Sequence, residues 1–253
     1  MKPFADWTTR LVARSYSVVV ILAAWEIVCR FGLVPPGLLP PISTVLARTA
    51  QALLTPFFLY NLGQTLIRLM SGLAAAIVLG VAIGVAASQS RALRRIVEPL
   101  IRLFAPIPKI ALYPALLLVL GFDHASRIAL VLIDAIFPVL LAAYHGAGAV
   151  DEKLIWSARA AGTSPRGCTW RIVFPAALPG ILVGIRIAVV IACIVVFLSE
   201  MIQPGDGLGD LMIRAARSFR TVDMFVPIVV ISLLGFALDH ALAALRRRLL
   251  MWA

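Results

Sequence analysis

Long apolar runs dominate the chain, and short clusters of proline, glycine and charge separate them. A helix needs about 20 mostly apolar residues to cross a bilayer. Windows near that length run from about Ser15 to Leu33, Leu62 to Ala87, Ile107 to Phe122, Arg127 to Tyr144, Pro179 to Met201 and Met224 to Leu245. The first ends before Pro35-Pro36. The second is rich in small residues, among them Ser71, Gly72, Gly80 and Gly84, which let helix backbones approach closely in lipid. Pro108 and Pro114 interrupt the third, Pro138 lies inside the fourth, and Pro179 stands at the first turn of the fifth. The pattern predicts an all-α polytopic membrane protein of about six transmembrane helices, with both termini on one side. Residues 1–14 form an N-terminal segment, and residues 15–253 form a single transmembrane domain with a polar loop at 145–178.

Three connections carry structure of their own. Pro41 to Leu54 predicts a short surface helix with Ser43 as its cap. Gln203 to Asp223 places Gly205, Gly207 and Gly209 ahead of a basic helix around Arg214 to Arg220. The third connection, from His145 to Leu178, is the most informative. Asp151 caps a helix there, with Glu152 beside the positive end of its dipole. Leu154, Ile155, Ala158 and Ala161 fall on one face at helical spacing. Gly162 stops that helix in a left-handed conformation, and Ser164-Pro165 starts another that runs to Pro175. The expected shape is helix, sharp turn, helix.

Composition confirms lipid as the main solvent. Hydrophobic residues make up 62% of the 253 and charged residues 14%, and mean hydropathy is +1.00. A soluble domain is about 45–50% apolar and about 25% charged. So few charges cannot cover a water-facing surface. An ordinary soluble enzyme, a disordered chain and a secreted disulfide scaffold are thereby excluded. An uncleaved first span is expected, because Glu26 and Arg30 stand where a cleavage site would need small residues.

The net charge of +11 has a topological meaning. Lys2, Arg10 and Arg14, then Arg91, Arg94, Arg95, Arg102 and Lys109, then Lys153, Arg159, Arg166 and Arg171, and finally Arg246 to Arg248 all fall on one side of the six-span arrangement. Arg30, Arg48, Arg127, Arg214, Arg217 and Arg220 fall on the other. The positive-inside rule places both termini in the cytoplasm. Basicity is therefore accounted for without nucleic acid as a partner. Cys29, Cys168 and Cys193 form no CxxC pair, and His124, His145 and His240 are far apart. No metal site, catalytic constellation or disulfide framework is expected.

The segment from Asp151 resembles the "EAA loop" of permease subunits of ATP-binding-cassette importers, whose pattern is E-A-A-x3-G-x9-I-x-L-P. Ala158, Gly162, Ile172 and Pro175 match it without gaps; Trp156, Ser157 and Phe174 depart from it. The stretches PIPKIALYPALLLVLGF, FPAALPGILVGIRIAV and SEM-x4-DGLGDLM resemble the subgroup for nitrate, sulfonates and taurine, over most of residues 60–250. The resemblance implies the type I importer permease fold in a bacterial inner membrane. It implies a second permease copy (a homodimer), two ATPase subunits gripping a cytoplasmic coupling helix, and a solute-binding protein on the outer face. Leu154, Trp156, Ser157, Ala158, Arg159, Ala161, Gly162, Pro165, Ile172 and Pro175 would then form the ATPase-coupling surface. The solute would be a small nitrate-, sulfonate- or taurine-like anion.

The chain has no GxxxxGK[ST] phosphate loop, so it is expected not to be an enzyme. ATP and magnesium would belong to the partner ATPase, with no cofactor held here. Ionisable residues inside spans are costly and are functional candidates. Asp134, Arg186 and Glu200, together with Pro108 and Pro114, are the candidates for the translocation pathway. Arg186 and Glu200 lie fourteen residues apart, about 21 Å along one helix, so they cannot pair with each other. Two alternatives stay open. An ion-gradient-driven secondary transporter would usually carry inverted repeats, and a lipid-modifying enzyme would need clustered acids or histidines at one membrane face.

Overall fold

The computed structural model describes the backbone of residues 3–35, 37–104 and 106–250, with side chains described from Tyr16 onward. Every regular element among the described residues is helical. The α-helices are α1 (Pro3–Arg30), α2 (Ile42–Ala52), α3 (Pro56–Gln89), α4 (Arg91–Phe104), α5 (Tyr113–Leu120), α6 (His124–Gly148), α7 (Glu152–Ala160), α8 (Pro165–Cys168), α9 (Phe174–Ile202), α10 (Leu208–Arg217) and α11 (Thr221–Leu249). A 3₁₀ turn at Lys109–Leu112 leads into α5, and a π turn at Thr169–Val173 joins α8 to α9.

Four helical stretches among the described residues are long and apolar enough to cross a membrane: Pro56–Gln89, His124–Gly148, Pro165–Ile202 and Thr221–Leu249. They contain the second, fourth, fifth and sixth expected spans. The start of the first expected span at Ser15, and the 1–14 segment before it, lie outside the residues whose side chains are described. The third expected span is broken. Lys109–Leu120 is too short to cross alone, and together with Arg91–Phe104 it is long and apolar enough only as a pair bent by 91°. The cause is visible in the sequence. Arg91, Arg94, Arg95, Glu98 and Arg102 give α4 a polar flank that cannot enter lipid, and Pro106 and Pro108 cannot extend its hydrogen-bond ladder.

The fifth span also differs from expectation. It does not begin at Pro179 after a separate short helix; one helical path of 38 residues runs from Pro165 to Ile202. The π turn makes this possible. Phe174 N–H donates to the Thr169 carbonyl, one residue further back than in an α-helix. Pro175 follows directly, and the π turn lets the path continue past a residue that has no N–H to give to the ladder.

The chain divides into two compact units, Met1–Leu59 with Leu211–Val230 and Tyr60–Asp210 with Ile231–Ala253. In the first, Glu26 of α1 caps α2. It accepts from Ser43 N–H at 3.1 Å and Ser43 Oγ at 2.7 Å. Ser43 is therefore not the cap: Pro41 holds that position, and a carboxylate from another helix replaces the missing side-chain acceptor. Trp25 Nε1 donates to the Pro40 carbonyl at 3.0 Å and its ring packs edge-on to Phe225, while Arg48 pairs with Asp223 at 2.7 Å.

The second unit is built around α6. The small residues of α3 recur on one side and press against it. A Cβ added to Gly72 would stand 2.7 Å from Val131 Cβ, and one added to Gly84 would stand 2.7 Å from Ala143 Cβ. On the other flank, a Cβ on Gly184 of α9 would stand 2.7 Å from the Pro138 carbonyl. Leu69, Leu73, Leu130, Val139, Val189 and Val196 fill the seam. In lipid there is no hydrophobic gain from this burial. Close van der Waals contact between backbones drives the association, which is why the contact residues are small.

Candidate functional site

Two regions of the second unit carry chemistry, at opposite ends of α6 and α9. The first is the hairpin of α7 and α8. Asp151 accepts from Lys153 N–H at 2.9 Å and caps α7. The helix closes with Gly162 at φ +83°. Gly162 N–H donates to the Arg159 carbonyl at 2.9 Å and Thr163 N–H to the Ala158 carbonyl at 3.0 Å, the two bonds of a Schellman motif. Ser164 Oγ then accepts from Gly167 N–H at 3.2 Å, with Pro165 at the first helical position of α8. The turn is fixed by backbone bonds between Ala158 and Thr163 and by the Ser164 cap that follows, so its angle is stiff.

No residue of α7 is buried. Ile155 is half-buried and packs with Val85, Ala143, Ala147, Val173 and Ala177, tying the hairpin to the bundle. Leu154 does not join that face. It is 54% exposed, Trp156 is 62% exposed, and Trp170 is exposed beside Phe174. Ser157, Arg159, Ala161 and Pro165 are exposed as well, Ala158 is half-buried, and Ile172 and Pro175 are half-buried at the start of the long helix. The coupling candidates thus lie together, most of them on an outward surface of mixed apolar and basic character.

The second region is a buried charge cluster at the other end. Arg68 of α3 and Glu200 of α9 are both fully buried, and Arg68 donates through Nη1 to Glu200 Oε1 at 2.8 Å. Glu200 also accepts from Thr65 Oγ1 at 2.9 Å and Gly209 N–H at 3.1 Å. Residues 203–210 form a strap over this pair. Gly207, at φ +108°, donates its N–H to Asn61 Oδ1 at 2.8 Å, and Leu208 N–H donates to Thr65 Oγ1 at 2.9 Å. A side chain at Gly207 or Gly209 would collide with Glu200, so the glycines in DGLG are there to let the strap lie on the carboxylate.

Asp206, in the strap, pairs with Arg68 and with Arg127 of α6, the latter at 3.1 Å. Burial pushes the Asp206 carboxyl up, but the hydrogen bond and charge of Arg68 and the charge of Arg127 outweigh it, so it lies below the usual carboxylate range. Gln203 links the strap onward, accepting from Tyr113 Oη at 2.8 Å and donating to the Phe122 carbonyl at 2.6 Å.

The remaining pathway candidates are dispersed. Asp134 faces the buried Lys109 at 3.5 Å, and Lys109 also lies over the Phe137 ring. Arg186 forms a two-pronged pair with Asp239 of α11, at 2.5 and 2.8 Å, and is 63% exposed. Pro108 and Pro114 are exposed and stand at the starts of helical pieces, not inside a continuous helix. Glu200 presents no surface to a partner. Arg127, Asp206 and Gln203 are the members of the cluster that periodicity does not reveal. A lone arginine and a lone glutamate in separate apolar runs were the available signal.

Long apolar helices with an exposed helical hairpin at one end make this a membrane-spanning bundle. The chain belongs to the family of binding-protein-dependent transport system inner membrane components, which matches residues 76–251. It is 31% identical to the taurine transport system permease protein TauC of Escherichia coli strain K12, over 93% of this chain and 88% of that one. It is 29% identical to a putative aliphatic sulfonates transport permease protein SsuC of Bacillus subtilis strain 168, over 92% of this chain and 84% of that one. Identity to the formylaminopyrimidine transport permease protein ThiX of Halalkalibacterium halodurans is 31%, over 92% and 93%. An inward-facing structure of the MetNI methionine ABC transporter superposes on 76% of this chain and 96% of its own, with TM-score 0.65 at 19% identity, a likeness of fold. The protein is a transmembrane permease subunit of an ATP-binding-cassette importer.

Proposed function

We propose that this chain forms half of a homodimeric pore for a small sulfonate-like anion, delivered by a solute-binding protein on the outer face. Both termini lie in the cytoplasm, in line with the lysine and arginine bias of the loops. Leu154, Trp156, Ser157, Ala158, Arg159, Ala161, Gly162, Pro165, Ile172 and Pro175 form or support the surface held by a separate ATPase subunit. ATP and magnesium act in that partner, and this chain hydrolyses nothing. The names of the taurine and aliphatic-sulfonate relatives support the substrate class.

One observation carries the reading. A helix with no buried residue, α7, is locked at both ends and feeds an unbroken helical path from Pro165 to Ile202. At about 1.5 Å per residue that path is about 57 Å long. Such a helix transmits a displacement and does not absorb it. Closure of the ATPases would tilt α7, and α9 would carry the tilt to the Glu200 cluster at its far end.

The test is purification of this polypeptide with its native partners, followed by reconstitution into vesicles. An ATPase subunit is expected to co-purify, and sulfonate uptake is expected to require both ATP and the binding protein. Uptake by the chain alone, driven by a proton gradient, would sink the proposal in favour of a secondary transporter.

A further inference from the structure

The strap places a carboxylate of the protein where a transported anion would fit. Asp206 is held between two guanidinium groups from different helices, Arg68 on α3 and Arg127 on α6. Both arginines are buried, at 1% and 2% of their surface. Arg68 is also neutralised by Glu200, which does not depend on the strap's aspartate. Arg127 has no other carboxylate against it among the described contacts. Its Nη2 donates to the Gln203 carbonyl at 3.2 Å, and its Nε is buried without a partner. With Asp206 in place each arginine faces a carboxylate, and Asp210, also buried in the strap, accepts from Gly205 N–H at 3.2 Å. With the Asp206 carboxylate swung away, Arg127 loses the carboxylate it faces and offers a guanidinium fork with a spare donor.

The strap backbone is held on both sides of Asp206, and only its carboxylate is free to turn: Arg127 holds the Gln203 carbonyl at 3.2 Å, Asp210 accepts from Gly205 N–H at 3.2 Å, and Arg68 Nη1 donates to the Asp206 carbonyl at 2.9 Å. Residues 207–209 are pinned through Asn61, Thr65 and Glu200. The Asp206 side chain is 28% exposed, so it has a route to solvent that the arginines lack. Pro204 and Gly205, which precede it, are exposed, so the side chain has room to turn outward. The cluster sits at the end of α6 and α9 opposite the hairpin, the end at which a solute-binding protein would release its cargo.

We propose that Arg68 and Arg127 are the receiving site for a monovalent oxyanion, and that Asp206 is an internal substitute that occupies the site until the anion displaces it. The assignment rests on the importer reading for its physiological meaning and names the residues that first take the solute from the binding protein. Charge sets the valence: removing one carboxylate leaves room for one negative charge. Guanidinium geometry sets the chemistry, because its paired N–H donors match the oxygens of a sulfonate, nitrate or carboxylate better than a monatomic halide. Alternation follows from competition. Asp206 returns when the anion leaves toward the cytoplasm and closes the outer end behind it.

The experiment uses the full chain in detergent, titrated with sodium methanesulfonate, sodium nitrate or sodium acetate at ionic strength held constant with chloride. The readout is the thermal unfolding midpoint. D206N is expected to respond at a concentration at least tenfold lower than the unsubstituted chain, and D206N/R127Q to respond no more than to chloride. The strongest of the three salts identifies the oxyanion class. Equal responses of D206N and the unsubstituted chain, or a retained response in D206N/R127Q, overturn the proposal. D206S serves if the asparagine variant does not accumulate. None of these measurements needs the ATPase or the binding protein. Failure here leaves the importer reading standing, whereas loss of ATP-dependent uptake with anion binding intact would strike the importer reading alone.

Discussion

The hairpin at one end of α6 and α9 and the charge cluster at the other solve opposite problems. The hairpin has almost nothing buried and is stiff because its backbone bonds are satisfied locally, from Asp151 through Gly162 to Ser164. The cluster has almost nothing exposed and is stiff because charges from α3, α6, α9 and the strap neutralise one another. On the proposed function, the hairpin keeps its apolar side chains outside for a partner to grip, and the cluster hides its charges under glycine backbone to close the pathway. The two regions should therefore fail differently when altered.

The largest effect is expected at the cluster. Glu200→Gln leaves the buried Arg68 and Arg127 to share the single carboxylate of Asp206, and breaking one side of a buried pair costs about 3–5 kcal/mol. The thermal midpoint in detergent should fall steeply. Arg68→Met/Glu200→Met together should recover part of the loss, because no buried charge is then left alone; a double variant as unstable as the two single losses combined would contradict this pairing.

Gly162→Val separates the two regions most clearly. A β-branched residue at φ +83° is strained by about 1–2 kcal/mol. The protein should still insert, since the hairpin lies outside the core. Substrate-stimulated ATPase activity of the assembled complex should be lost, and normal stimulation would count against a lever. Ser164→Ala removes one cap bond and should cost about 1 kcal/mol, with a smaller loss of coupling. Protease cutting near Thr163 should report it before the global midpoint moves.

Acid should have the smallest effect near neutrality. Asp206 is held below the usual carboxylate range, so its stabilising pairs are complete above that range and are lost as pH falls through the depressed value. Stability should be flat in this group from about pH 5 upward, where an unpaired carboxylate is already ionised, and should fall only in stronger acid. Asp206→Asn should remove that acid limb; an unchanged limb would assign it to other carboxylates.

The contrast also explains what the sequence alone revealed. Asp151, Gly162, Ser164 and Pro165 were readable because caps and turns depend on neighbours within a few positions. The apolar runs were readable because a membrane imposes length. The cap of α2 was misread at Ser43 because its acceptor, Glu26, is seventeen residues away on another helix. The prolines of the third window were readable as interruptions, but hydropathy does not register that Arg91–Phe104 meets Lys109–Leu120 at a 91° bend. Glu200 stood out as a single charge in an apolar run, but its pairing with Arg68 across 132 positions, and the place of Asp206 between Arg68 and Arg127, exist only once α3, α6 and α9 are assembled.

The central claim is that α7 is the handle through which a separate motor moves this bundle. Cysteine placed at Trp156 in the intact importer, in a background lacking Cys29, Cys168 and Cys193, tests it by short-range cross-linking. The account predicts a cross-link to the ATPase subunit whose yield changes when a non-hydrolysable ATP analogue is added. A residue at Trp156 that reacts freely with water-soluble reagents in every nucleotide state and never links to the ATPase would contradict it.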